Sequence, residues 1–159
     1  MVNGLTHFRK SFVFVSIFVL VSFFIVNQGN SKIIKEYDDF DETTTIFSKF
    51  VDEGPWQFVV MMCTTKGAYL GFYHTGRNYC FFSDKALDIK IDGKITRIPC
   101  LLTQTNSASF WLNERAKTKI KNAGHITIRV YMENVSNITW DVPERVLNEW
   151  KKLFESVGR

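Results

Sequence analysis

Several signatures of catalysis are missing from this chain. No G-x-S-x-G, H-E-x-x-H, phosphate loop or G-x-G-x-x-G occurs, which removes the common sequence marks of hydrolases, metalloproteases and nucleotide-binding enzymes. Cysteine is scarce and odd in number: Cys63, Cys80 and Cys100, with 16 and then 19 residues between them. Those intervals match no zinc-ligand pattern, and an odd count leaves at least one thiol. The acids Asp38, Asp39, Asp41 and Glu42 lack the fixed spacing and central glycine of a calcium loop. No cofactor and no metal site is therefore expected. A basic stripe is also lacking. The net charge is +4, but Arg9 and Lys10 supply two of those charges ahead of an apolar run, so the remainder is close to balanced. That excludes the electrostatic footprint of a nucleic-acid binder. No internal repeat or low-complexity tract is present, and no acid precedes Glu36.

What is present begins with Ser11–Val26, SFVFVSIFVLVSFFIV. Ser11, Phe12, Phe14, Ile17, Leu20, Phe24 and Val26 mark its extent. Transfer of such side chains to hydrocarbon is favourable at roughly 25 cal/mol per Å². Arg9 and Lys10 before the run give the positive-inside orientation, with the C-terminal part across the membrane. Two readings stand. A cleaved signal has an apolar core of about 7–15 residues followed by small residues. The exit here, Asn27-Gln28-Gly29-Asn30-Ser31, has no A-x-A, and only Gly29 and Ser31 are small. A retained anchor needs about 20 residues, which the uncharged span to Ser31 supplies. The chain thus divides into a signal or anchor (1–30), an acidic linker (31–45) and one exported β-rich domain (46–159).

In the exported part, Thr43–Phe50 starts a first strand. Trp56–Cys63 (WQFVVMMC), Ala68–His74 and Asn78–Ser83 read as a three-strand meander separated by glycine-containing turns. Leu87–Ile91 alternates, Asp92-Gly93 supplies a type I′ hairpin turn, and Lys94–Leu101 returns, with Pro99 weakening its end. Ser107–Leu112 is another strand. Asn113 caps a helix over Glu114–Asn122 that Gly124 ends. His125–Met132 alternates again, and Asn134–Trp140 can pair with it. The last helix starts near Asp141 and Glu144, which have capping-box spacing, with Pro143 in its first turn. Val146, Leu147, Trp150, Leu153 and Phe154 share one face of it.

The meander would set Cys63 and Cys80 two strand spacings apart, about 9–10 Å, beyond the roughly 7 Å reach of a disulfide. A disulfide, if one forms, joins Cys100 to Cys80 or Cys63. The sharpest enzymatic reading pairs Cys80 or Cys100 with His74 as nucleophile and base; His7 precedes the membrane segment and His125 starts a strand. Two sequons, Asn134-Val-Ser136 and Asn137-Ile-Thr139, matter only in a eukaryotic secretory pathway. Trp56, Phe58, Tyr69, Phe72, Tyr73, Tyr79, Phe81, Phe82 and Trp111 read mostly as core. Runs such as Phe72-Tyr73 put aromatics on both faces of the sheet, and the C-terminal helix is expected to cover the second face rather than leave it for binding.

FVVMMC (Phe58–Cys63), a glycine turn, LDIKIDGKITRIPC (Leu87–Cys100), NAGHITIRVY (Asn122–Tyr131) and a terminal helix follow in order. This order resembles small exported bacterial β-sandwich proteins, the invasion-associated locus B family and the periplasmic accessory protein of type VI secretion clusters. The resemblance covers about residues 40–157 and carries over no functional residue. It implies an envelope-associated, non-catalytic role in secretion or host interaction. The expected fold is mainly β or α+β: a sandwich-like antiparallel sheet of about seven short strands with a C-terminal amphipathic helix, preceded by a membrane-targeting helix. The expected function is a non-enzymatic periplasmic or inner-membrane-anchored accessory protein, with a protein partner in the envelope and the membrane met through the N-terminal segment. A small exported Cys–His enzyme and a membrane-anchored exclusion or immunity protein are the alternatives.

Overall fold

The structure, a computed structural model, describes residues 33–38, 43–64, 67–74, 82–83, 86–104, 106–133 and 135–156. Ten strands and two helices lie among them. Six strands, β1 (Ile34–Asp38), β2 (Thr43–Glu53), β3 (Trp56–Thr64), β4 (Gly67–Tyr73), β7 (Cys100–Gln104) and β8 (Ser107–Leu112), form one antiparallel sheet in the order β1-β2-β3-β4-β8-β7. The other four, β5 (Leu87–Ile91), β6 (Lys94–Ile98), β9 (Ile126–Val130) and β10 (Ile138–Asp141), form a second in the order β10-β9-β5-β6. Helix α1 spans Glu114–Lys121 and helix α2 spans Glu144–Ser156.

Period-two alternation builds both sheets. One face of the larger sheet buries Ile46, Phe50, Val59, Met61, Leu70, Phe72, Phe110 and Leu112. The smaller sheet contributes Leu87, Ile89, Ile126, Ile128, Val130 and Trp140, and α2 contributes Val146, Leu147, Trp150 and Leu153, all to the same core cluster. Ring contacts join the pieces: Phe72 meets Trp140 edge-on at 6.2 Å, and Trp140 meets Trp150 at 6.3 Å. Each such side chain removed from water contributes about 1.5–3 kcal/mol.

The Asp92-Gly93 turn forms as expected, with φ of 46° and 86° at its two residues. The Asp92 carboxylate also accepts from the amides of Gly124 (3.1 Å) and His125 (3.0 Å), pinning the hairpin to the start of β9. Asn113 caps α1 by accepting from the Ala116 amide at 2.9 Å.

Several expectations need correction. The acidic linker contains β1, held antiparallel to β2 from Ile34↔Phe47 to Asp38↔Thr43. The strand expected over Lys94–Leu101 is two strands. Proline cannot donate to a ladder, and at Pro99 the chain leaves the smaller sheet as β6 and enters the larger as β7. The neighbours of β4 are β3 and β8, so the strand expected over Asn78–Ser83 does not flank it; residues 78–81 lie outside the described residues, and Phe82 bridges to Met132 beside β9. Helix α1 ends at Lys121 with Asn122 as its C-cap, and the Gly124 amide instead donates to Asp92. Asp141 closes β10, where its carboxylate accepts from the Thr127 hydroxyl at 2.7 Å, so it does not serve a capping box.

Candidate interaction face

The larger sheet has a second face, and the same alternation populates it. Opposite the core-facing residues, β2 presents Phe47, Lys49 and Val51, and β3 presents Phe58, Val60 and Met62. β4 adds Tyr69 and Tyr73, and β8 adds Trp111. Register then lines these up across strands. Phe47, Met62, Tyr69 and Trp111 are direct neighbours in one row across four strands. Val51, Phe58 and Tyr73 form a second row.

The rings interlock. Phe58 and Tyr73 stack at 4.6 Å with planes 4° apart, and Tyr69 meets Trp111 at 4.6 Å and 68°. Such cross-strand aromatic pairs contribute about 0.5–1.5 kcal/mol beyond area burial. Lys49 Nζ lies 4.5 Å from the Phe58 ring centre, a cation–π contact. Burial lowers the Lys49 ammonium pKa and raises that of the Tyr69 phenol. At the end of the first row, Gly67 lets the Trp111 indole lie against bare backbone: a Cβ there would stand 1.9 Å from the ring. Phe47 and Met62 are 3% and 7% exposed, yet neither belongs to the core cluster.

Helix α2 does not cover this face, contrary to expectation. It joins the core with Ile46 and Phe50, on the opposite side of β2. There Arg145 forms an ion pair with buried Glu53 and lies 5.8 Å over the Phe50 ring. Of the aromatics read as core, Trp56, Phe72 and Phe82 are core, whereas Phe58, Tyr69, Tyr73 and Trp111 are half-buried on the far face. Tyr79 and Phe81 lie outside the described residues. The face offers half-buried rings, the exposed Val51 and one ammonium, which suit apolar and stacking contacts.

Ser11–Val26, Cys80, Asp39, Asp41 and Glu42 lie outside the described residues. Cys63 and Cys100 are three strand spacings apart, about 14 Å, which is twice the reach of a disulfide; Cys63 is a free thiol in the core. Burial pushes that thiol up to about 12, far from reactive. The Cys100 Sγ is 3.8 Å from the Ser109 carbonyl, to which it donates. His74 Nδ1 donates to the Pro55 carbonyl at 2.8 Å. Register sets Cys100 level with Leu70, and His74 lies roughly 13 Å further along that direction. A Cys100–His74 pair is out of reach. His125 Nε2 is 3.8 Å from Asp141 at the surface, and Asn137 accepts from the Met132 amide at 3.2 Å. Among the described residues, no three metal-binding side chains cluster, and no helix is long and apolar enough to cross a membrane.

No family model, no curated protein and no solved structure matches this chain.

Sequence reasoning passed over two features. Lys49 stands beside Phe58 only once the β2–β3 register is known. On the outer face of the smaller sheet, Asp88 accepts from Arg97 Nε at 2.9 Å and from the Tyr131 hydroxyl at 2.6 Å. The Arg97 hydrogen bond, chiefly, holds its carboxyl below the usual range. Alternation of Asp88 and Arg129 in their strands was the available signal.

Proposed function

We propose that this chain is a non-enzymatic accessory or binding protein of the cell envelope. Ser11–Val26 directs it to the membrane, as a cleaved signal or a retained anchor, and the β domain faces the far side. The two sheets act as a sandwich-like scaffold, and the aromatic rows of the larger sheet meet a protein partner. The observation that carries this reading is the set of Phe58, Tyr69, Tyr73 and Trp111, half-buried rings aligned on a face that the core does not use. Interfaces are enriched in such rings. The charge pattern of Arg9 and Lys10 before an apolar run with no acid supports export.

The test is the intact mass of the protein in membrane, soluble envelope and cytoplasmic fractions of its own cells. A mass short of about 27–31 N-terminal residues in the soluble envelope fraction supports a free exported domain. A full-length mass in the membrane fraction, with the β domain digestible from the outer side, supports an anchored one. A full-length protein confined to the cytoplasmic fraction overturns the reading.

A further inference from the structure

Among the described residues, four strands terminate the two sheets: β1 and β7 the larger, β10 and β6 the smaller. An edge strand presents backbone N–H and C=O groups to any further strand, and charged side chains commonly protect it. β1 carries Lys35 and Glu36, β6 carries Lys94 and Arg97, and β10 ends on Asp141. β7, Cys100-Leu101-Leu102-Thr103-Gln104, has no charged side chain, and Leu101 is 49% exposed. Its regular pairing with β8 runs over Leu102↔Ser109, Thr103↔Ala108 and Gln104↔Ser107, after an irregularity at Cys100/Leu102.

We propose that β7 is a self-pairing edge: two copies of the chain join β7 to β7 antiparallel about a two-fold axis, making one continuous sheet from two six-stranded ones. Charge selects the strand. Among the four described edges, only β7 can receive another strand without drawing one of its own charges out of water, a step that is costly when the charge is left unpaired. Charge also selects the occupant. A second β7 brings no charge of its own, and each copy's Leu101 is covered. Pairing β7 to β1 of another copy would desolvate Lys35 and Glu36 and would not close, whereas a two-fold contact stops at a dimer. The contact is short, so the dimer is weak and reversible. It does not depend on the compartment in which the chain resides.

The test is sedimentation equilibrium of the purified full chain in density-matched detergent micelles, over a range of protein concentrations. A reversible monomer–dimer equilibrium is expected. Leu101→Lys and Thr103→Pro should each raise the dimer dissociation constant by about tenfold or more, while Tyr37→Lys on the β1 edge leaves it unchanged. The near-UV circular dichroism of the buried tryptophans reports folding. Should Thr103→Pro unfold the chain, Leu101→Lys, a change at an exposed position, still decides. A chain that stays monomeric, a dimer that both β7 variants leave intact (as one formed by the N-terminal apolar segment would be), or growth into open-ended oligomers overturns the proposal.

Discussion

Gly67 and Trp111 form a lock that only the absence of a side chain permits. The indole occupies the space where a Cβ would stand, 1.9 Å from the ring. Gly67→Ala is therefore expected to displace Trp111 from Tyr69 and to destabilise the fold by about 1–3 kcal/mol, the usual range for overpacking. The urea midpoint and the tryptophan emission of the variant check this. Asp88 gives the clearest pH dependence. Its carboxyl is held below the ordinary range, chiefly by the Arg97 hydrogen bond, so the folded state binds its proton less readily than the unfolded one. The sign follows: the stabilisation is full above the ordinary carboxylate pKa, about 3.9, and is lost as pH falls through the lower folded value. The stability difference between the wild type and Asp88→Asn should be constant from neutrality down to about pH 4, then shrink under stronger acid. High salt should reduce it throughout, because Arg97 is 69% exposed.

Among the elements, α2 is the piece whose removal would open the core. Trp150 is fully buried and touches Trp140. Trp150→Ala should destabilise by about 3–5 kcal/mol, read from chemical denaturation, whereas Lys152→Ala on the same helix should change little. The helix was legible in the sequence because Val146, Leu147, Trp150 and Leu153 recur at helical spacing. So were β5 and β9, where Leu87, Ile89, Ile126 and Ile128 alternate with polar residues, and the Asp-Gly turn that leads out of β5. Strand β1 was not, since three of its five side chains (Lys35, Glu36 and Asp38) are charged and it owes its place to the neighbouring β2 ladder rather than to burial. Pro99 weakens a strand by its chemistry alone, but that it marks a passage between sheets depends on β7 finding β8, which local sequence does not encode. The aromatic rows were half legible: alternation puts rings on both faces, and only register decides which rings meet and which face α2 takes.

At the scale of the whole molecule, the larger sheet is closed by strands distant in the chain. β4 finds its second neighbour in β8, after the β5–β6 hairpin and β7 have been made. Until residues 107–112 arrive, Gly67–Tyr73 is an open edge rich in Tyr, Leu and Phe. Such non-local closure makes folding slow, on the order of milliseconds to seconds, and leaves an adhesive strand exposed meanwhile. Refolding yield should accordingly fall as protein concentration rises, with light scattering appearing before native tryptophan fluorescence returns. A chain cut short before β8 would keep that edge for good. The time between the synthesis of Tyr73 and that of Ser107 is thus the interval in which this polypeptide is most in need of a chaperone.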